Sequence, residues 1–458
     1  MEISIRDICK AIHVDAPCDG VVTGVSTDTR TIKPGDLFIA LKGESFDGNL
    51  FIRDALNAGA AFCICSDAAL AGNKTVVTGN TVQALQDVAG FYRSTFDIPL
   101  AAVTGSSGKT TARCMITEVF KQKYNTLATQ SNHNNEIGAA KTLLGLKPEH
   151  TAAVIEMGMN NFGELERISL CAMPTMAVIT NIGTAHIENL KSREGILKAK
   201  LEVTAGMKQG ATLIVNGDDD MLAPLVSDKY NVVRFGIDNA ECEHTATAIS
   251  LGSDGSRFTY KSKSAGKRAE CYVPGAGMHN VYNALSAIAA GEIAGIEPEQ
   301  AAYGLKSFVN EGQRQQIVRR GAVTVIEDCY NANPDSVRAA LNTLTLVADG
   351  RRIAVLGDML ELGDYAAVAH EQVGCMVAAN AVDVLLTLGE LAKGIGSAAK
   401  SHAWCSVEEF DDKAALTQRL TQLIQPGDTV LFKASRRMRF EEIIQQLYKT
   451  VLSEGEKE

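Results

Sequence analysis

The chain has 458 residues, a formal net charge of −10, 46% hydrophobic and 21% charged residues, and mean hydropathy near zero. That length exceeds what one hydrophobic core fills, so roughly two to four domains are expected of an ordinary globular protein, not a disordered or fibrous one. The acidic balance argues against general nucleic-acid binding but leaves room for a small anion held in a local basic pocket. No stretch approaches the roughly 18 apolar residues of a membrane span, and MEISIRDICKAI at the N-terminus lacks a basic segment followed by an apolar run. A cytoplasmic protein without membrane insertion is expected. The eleven cysteines have no framework spacing, and Cys63 and Cys65 stand too close for a zinc knuckle or redox pair. They read as reduced core residues.

In chain order, residues 1–81 form a small α/β unit with a strand at 36–41 and a helix at 51–59. From 82 to 312, strands at 100–104, 152–157, 175–182 and 211–216 alternate with helices, the first of them at 111–124. That alternation predicts parallel strands joined by crossover helices. Residues 245–273 alternate in character around Gly252-Ser-Asp-Gly255 and read as antiparallel hairpins, followed by an alanine-rich helix at 280–294. The third unit, 313–458, has strands at 322–327, 352–356, 382–388 and 429–433 separated by helices. It is Rossmann-like but has no GxGxxG fingerprint. The charged end at 453–458 reads as a frayed tail.

The segment LAAVTGSSGKTT, at 100–111, feeds an apolar strand into a glycine-rich turn. Gly105 and Gly108 let the backbone approach an anion closely, and Ser106, Ser107 and the following helix N-terminus supply donors. Lys109 adds a positive charge, and Thr110, followed by Thr111, offers a hydroxyl to Mg²⁺. The first glycine of the longer G-x-x-x-x-G-K-[ST] pattern would fall at Val103, so only the shorter loop is present. A plain βα turn can also be glycine-rich, but Gly-Lys-Thr between a strand and a helix with a Met115/Val119 and Ile116/Phe120 stripe is the context of a nucleoside triphosphate site.

Glu156 ends the next apolar strand, where a doubly wound sheet presents ligand-facing residues, and His186 follows the strand after it. Lys109 and Thr110, Glu156 and His186 thus converge on one predicted sheet edge, which suits a metal–phosphate site. Imidazole is an unusual Mg²⁺ ligand, so oxygen donors are expected to dominate. Lys198 and Lys200 alone read as a solvated helix face. Asn280 and Asn283 can read a base edge, Arg314 can pair with phosphate, and Asp328 can accept from ribose hydroxyls. Asn331-Ala-Asn333-Pro334 also suits a turn that opens a helix.

Together and in this order these segments resemble the Mur ligase family, the ATP-dependent amide-forming ligases of peptidoglycan precursor synthesis. The resemblance spans nearly the whole chain. It rests also on Thr27-Asp-Thr-Arg30 with GDLFIALKGESFDG, Asn132-His-Asn-Asn-Glu-Ile-Gly138, EMGMN, TNIGTAHIENL, DCYNANPDS and LGDMLELG. It implies a UDP-substrate domain at 1–81, a central ATP-binding domain at 82–312 and a C-terminal ligase domain at 313–458. Lys109 would contact the β- and γ-phosphates, Thr110 and Glu156 would hold one Mg²⁺, and His186 would serve a second. Lys200 matches a lysine that this family commonly carbamylates, which would add an oxygen ligand. Asn280 would read adenine, Arg314 would meet the phosphates and Asp328 the ribose. Thr27, Asp28, Arg30, Gly43 and Asp47 match the uridine-nucleotide region, and Asn134 and Asn135 match residues near the muramoyl tripeptide. Tyr330, Asn331 and Asn333 would face the substrate. The basic run KASRRMRFE at 433–441 reads either as a solvated basic helix start or as a site where Lys433, Ser435 and Arg436, following a strand, bind the D-alanyl-D-alanine carboxylate or close on the phosphates.

The implied reaction is attack of a tripeptide carboxylate of UDP-N-acetylmuramoyl-tripeptide on the γ-phosphoryl group, followed by displacement of phosphate by the dipeptide amine. A monomer is expected. Asn49 stands where the family often has His, Ala140 where proline is typical, and Ala434 and Arg437 depart from its usual C-terminal run. A diaminopimelate- or lysine-adding ligase, or a folylpolyglutamate synthetase, is the nearest alternative enzyme. A nucleotide-binding scaffold that has lost ligation is the alternative of another class, against which the joint presence of Lys109, Glu156, His186 and Lys200 speaks.

Overall fold

The computed structural model describes residues 1–43, 46–401 and 404–450, so the charged end at 453–458 lies outside the described residues. The N-terminal unit is built on a four-stranded parallel sheet, Gly24–Ser26, Asp36–Ile39, Phe62–Cys65 and Thr75–Val77. The helix expected at 51–59 is Ile52–Asn57, entered through a short 3-10 turn at Gly48–Phe51.

The central sheet has nine strands. In spatial order they begin Thr126–Ala128, Ala152–Glu156, Leu100–Thr104, Met176–Ile179, Thr212–Asn216 and Asn231–Gly236, all parallel. His244–Leu251, Gly255–Ser262 and Arg268–Pro274 extend it as the expected antiparallel hairpins. Alternate residues of each central strand enter different cores. Leu100, Ala102, Ala153, Ile155, Ala177 and Ile179 face one side, and Ala101, Val103, Ala152, Val154, Met176 and Val178 face the other. Burial on both faces is why LAAV, AAVI and MAVI are continuous apolar runs and not alternating ones. Each fully buried Leu or Ile here contributes about 1.5–3 kcal/mol relative to exposure.

Helices Lys109–Phe120, Met278–Ile293 and Pro298–Leu305 cover one face. Thr81–Ser94, Glu136–Leu144 and Glu164–Ala172 cover the other. Leu85 and Val88 of Thr81–Ser94 share a core with Ile8, Leu37 and Phe62 of the N-terminal unit, so apolar packing runs on across residue 81.

The C-terminal sheet has six strands in the order Gln316–Arg320, Val323–Glu327, Thr429–Lys433, Arg352–Gly357, Val384–Leu388 and Ser406–Phe410. Only the first pair is antiparallel. The two edge strands have no counterpart among the sequence expectations, because QIVRR and SVEEF are half-exposed and too polar to read as strands. The same holds for the short edge strand Thr126–Ala128. All eleven cysteines are unpaired, and nine are buried; Cys18 is half-buried and Cys375 exposed. Among the described residues no helix is long and apolar enough to cross a membrane.

Candidate active site

The carboxyl ends of central-sheet and C-terminal-sheet strands border one cavity of about 400 Å³. Its floor is the GSSGKTT turn between Leu100–Thr104 and the helix Lys109–Phe120. Gly105 has φ +152°, and a Cβ there would stand 1.9 Å from Thr180 Oγ1, so only glycine fits. Gly108, at φ +78°, caps the helix, and its missing Cβ leaves room for Asn283 Oδ1. The loop is tied to the neighbouring strand end. Ser107 N donates to Asn181 Oδ1 at 3.0 Å, Thr180 Oγ1 donates to Ser107 O at 2.6 Å, and Gly183 N donates to Ser106 Oγ at 2.9 Å. Lys109 is half-buried with Nζ 2.8 Å from Gly105 O, and burial pushes its ammonium below the usual lysine range. Thr111 also lines the cavity.

Thr110 Oγ1 donates to Glu156 Oε1 at 3.1 Å, and Asn134 Nδ2 donates to the same oxygen at 2.8 Å. Glu156 Oε2 is buried and accepts no hydrogen bond. An anionic oxygen left open beside a phosphate loop fits a hard divalent cation that draws its remaining donors from phosphate and water. Lys200, in the helix Arg193–Leu201, is 2% exposed and its ammonium makes no hydrogen bond or ion pair among the described residues. Burial, aided by the charge of Lys109, pushes its pKa well below the ordinary value. The expected metal set is therefore brought together in part. His186, in a left-handed backbone conformation at φ +62°, lines the same cavity, yet its Nδ1 stands 2.9 Å from Glu361 Oε2 of the LGDMLELG segment. Among the described residues, no three His, Cys, Asp or Glu side chains cluster as metal ligands.

Asn280 opens the helix Met278–Ile293 with Nδ2 on Ala276 O at 3.1 Å and a buried Oδ1 that has no partner. Asn216, Phe235 and Tyr282 line the cavity with it; Asn216 and Phe235 come from strands outside the motifs, whereas Tyr282 stands two residues after Asn280 in the same helix. From the C-terminal unit, Arg314 lies 3.8 Å above the centre of the Tyr330 ring. Asp328 and Lys433 pair directly, Oδ2 to Nζ at 2.8 Å, and Nζ also donates to Asn331 O at 3.1 Å. Asn333 caps the helix Pro334–Val347 by accepting from Ser336 N at 2.9 Å. Ser435 and Arg436 do not line the cavity: Ser435 Oγ accepts from Leu360 N at 2.8 Å, and Arg436 Nη1 pairs with Glu441 at 3.2 Å. Asn135 lines the cavity but caps the helix Glu136–Leu144, accepting from Gly138 N at 2.8 Å.

Thr27, Asp28, Arg30, Gly43 and Asp47 of the N-terminal unit do not line this cavity. Thr27 is half-buried, Gly43 is exposed, and Arg30 Nη2 pairs with Asp28 Oδ2 at 2.6 Å, which holds the Asp28 carboxyl down at about 2. Asp47 Oδ1 accepts from Asn49 Nδ2 at 2.7 Å. Asn49 also bonds Ser66 in both directions, its Oδ1 accepting from Ser66 N at 2.9 Å and its Nδ2 donating to Ser66 Oγ at 3.0 Å. Asn49 thus ties this loop to the end of the strand Phe62–Cys65.

Residues 21–91 match the catalytic domain of the Mur ligase family, 103–291 its middle domain, and 313–436 its glutamate ligase domain. The UDP-N-acetylmuramoyl-tripeptide–D-alanyl-D-alanine ligase of Bacillus subtilis (strain 168) is 38% identical over 440 residues, covering 94% of each chain. The enzyme of the same name from Synechocystis is 35% identical over 432 residues, covering 93% of this chain and 92% of its own. The crystal structure of MurF from Acinetobacter baumannii superposes with a TM-score of 0.88 at 29% identity, covering 98% of this chain and 99% of that one. Domain matches in order, relatives similar along almost their entire length and a shared three-domain α/β architecture place the chain in the Mur ligase family.

Proposed function

We propose that the chain is an ATP-dependent ligase that joins D-alanyl-D-alanine to UDP-N-acetylmuramoyl-tripeptide, giving UDP-N-acetylmuramoyl-pentapeptide, ADP and phosphate. The observation that carries this reading is the single cavity where a phosphate loop and an open Glu156 oxygen meet Arg314, Tyr330 and the Asp328–Lys433 pair of another domain. The names of the full-length relatives supply the substrates.

A carboxylate is resonance-stabilised and a poor electrophile, so amide formation near neutral pH requires activation. The tripeptide carboxylate oxygen attacks the γ-phosphorus, the bond to the β-phosphate oxygen breaks, and ADP leaves. The dipeptide amine then attacks the acyl carbon, phosphate departs with one former carboxylate oxygen, and the nitrogen gives up one proton to solvent. Catalysis rests on positioning and charge stabilisation, with no covalent enzyme nucleophile. The GSSGKTT backbone cradles the phosphates, Lys109 offsets their charge, Asn280 reads adenine through its free Oδ1, and Asp328 meets the ribose. Arg314 approaches the phosphates, while Tyr330, Asn331, Asn333 and Lys433 border the dipeptide.

Thr110, Glu156 and His186 are the residues that would hold Mg²⁺, which when bound neutralises phosphoryl charge. A depressed lysine pKa leaves neutral amine available, so Lys200 can add CO₂ to give a carbamate and one proton. In the N-terminal unit Thr27, Asp28, Arg30, Gly43 and Asp47 take the uridine nucleotide, and Asn134 and Asn135 take the tripeptide. Domain limits at 81/82 and 312/313, a monomeric state and a cytoplasmic location belong to the same reading. The test uses tripeptide substrate with ¹⁸O in the reacting carboxylate. One labelled oxygen in the released phosphate is expected, and unlabelled phosphate would refute the acyl-phosphate route.

A further inference from the structure

Arg113 lies one turn into the phosphate-loop helix Lys109–Phe120, with its side chain 3% exposed. Its Nη1 and Nη2 donate to Glu311 Oε1 and Oε2 at 2.9 and 2.5 Å. Glu311 is itself 42% exposed and belongs to the connector between the helix Pro298–Leu305 and the first C-terminal strand, Gln316–Arg320. It is followed by Gly312, where the chain bends at φ +66°. The remaining guanidinium nitrogen, Nε, stands 3.7 Å from Glu156 Oε2, and both atoms are buried without a hydrogen-bond partner.

One buried cation thus faces two carboxylates and has closed on only one. The gap to Glu156 exceeds the 2.7–3.2 Å or so of an N–H···O bond. A charge-assisted bond in a buried setting is strong, so a free guanidinium would move to close that gap. The two-pronged grip of Glu311 fixes the plane of the fork and prevents it. We propose that Glu311 restrains Arg113 so that Glu156 Oε2 stays open to a divalent cation, making Arg113 and Glu311 a positioning pair for the metal site. Displacement of the connector releases Arg113 onto Glu156 and closes the site, which links metal loading to the placement of the C-terminal sheet. The inference rests on the proposed role of Glu156 as a metal-holding residue.

The test is a Mn²⁺ titration of the full chain with saturating ADP, free Mn²⁺ being counted by electron paramagnetic resonance, alongside thermal unfolding of each variant. Glu311→Gln is expected to weaken Mn²⁺ binding three- to tenfold with the unfolding temperature little changed. Adding Arg113→Met to it is expected to return binding to within twofold of the parent, because the competing cation is gone. A purely structural role predicts instead that the double variant is no better than the single. Parental Mn²⁺ binding by Glu311→Gln, or a double variant as weak as the single, would overturn the proposal. Glu156→Gln separates the two layers: parental Mn²⁺ binding in that variant removes the metal assignment and the proposal with it. Should the double variant fail to fold, a crystal structure of Glu311→Gln decides. Arg113 Nε within hydrogen-bond distance of Glu156 Oε2 supports the restraint, and an unmoved guanidinium overturns it.

Discussion

Replacing Asp328 by Asn leaves the Lys433 ammonium buried without a counter-charge. The two side chains are 9% and 2% exposed, joined at 2.8 Å, and the other strong acceptor near Nζ is Asn331 O at 3.1 Å. Burial pushes the Asp328 carboxyl above its usual range, against the pull of Lys433, so each charge is held in the interior by the other. Removing one partner of a buried pair costs about 3–5 kcal/mol. Asn keeps the volume and one acceptor oxygen, which places this substitution at the lower end. For a domain of roughly 150 residues each kcal/mol moves the transition about 2–4 °C, so the C-terminal transition should fall by about 6–12 °C. Scanning calorimetry of the full chain is the assay, read as the shift of that domain's transition because a multidomain protein has no single unfolding free energy. Asp328→Asn combined with Lys433→Met leaves no stranded charge and should recover most of the loss. A single variant that unfolds within about 1 °C of the parent, or a double variant less stable than the single, would refute the reasoning.

Lys109→Ala and Glu156→Ala should abolish ligation while circular dichroism and unfolding temperature stay near parental; full activity in either places the site elsewhere. Gly105→Ala drives a Cβ to 1.9 Å from Thr180 Oγ1, an overpacking of about 1–3 kcal/mol that should weaken ADP binding roughly tenfold by calorimetry, with partial recovery in Gly105→Ala/Thr180→Ala. His279, in the cavity wall, is held down to about 4 by burial and the charge of Lys433. Between about pH 6.5 and 4 the unfolded chain therefore binds a proton that the folded chain does not, and stability falls as pH falls through that window. His279→Gln should flatten this part of the profile of unfolding temperature against pH. If Lys200 carries a carbamate, protein depleted of CO₂ should gain activity on adding bicarbonate, and Lys200→Met should show no response.

The sheet positions were legible because strands covered on both faces leave continuous apolar runs, as at Leu100–Thr104 and Ala152–Glu156. Residues at their carboxyl ends could then be placed on one edge, which is how Lys109, Glu156 and His186 emerged together. Pairings made by tertiary closure were not legible. Lys433 reads in sequence as part of a basic run, but folding sets it on Asp328, 105 positions away. Arg113 looks like an ordinary helix residue until Glu311, 198 positions on, takes hold of it. His186 meets Glu361 only because the C-terminal unit docks against the central one. Periodicity reports which face a residue occupies, not which distant side chain satisfies it.

Phosphate release tests the dipeptide-ligase reading most directly. D-alanyl-D-alanine, L-lysine, meso-diaminopimelate and glutamate are each supplied with the matching acceptor and MgATP, and phosphate is followed continuously. Release that requires UDP-N-acetylmuramoyl-tripeptide and D-alanyl-D-alanine together is the expected result. Release driven only by a single amino acid would contradict it.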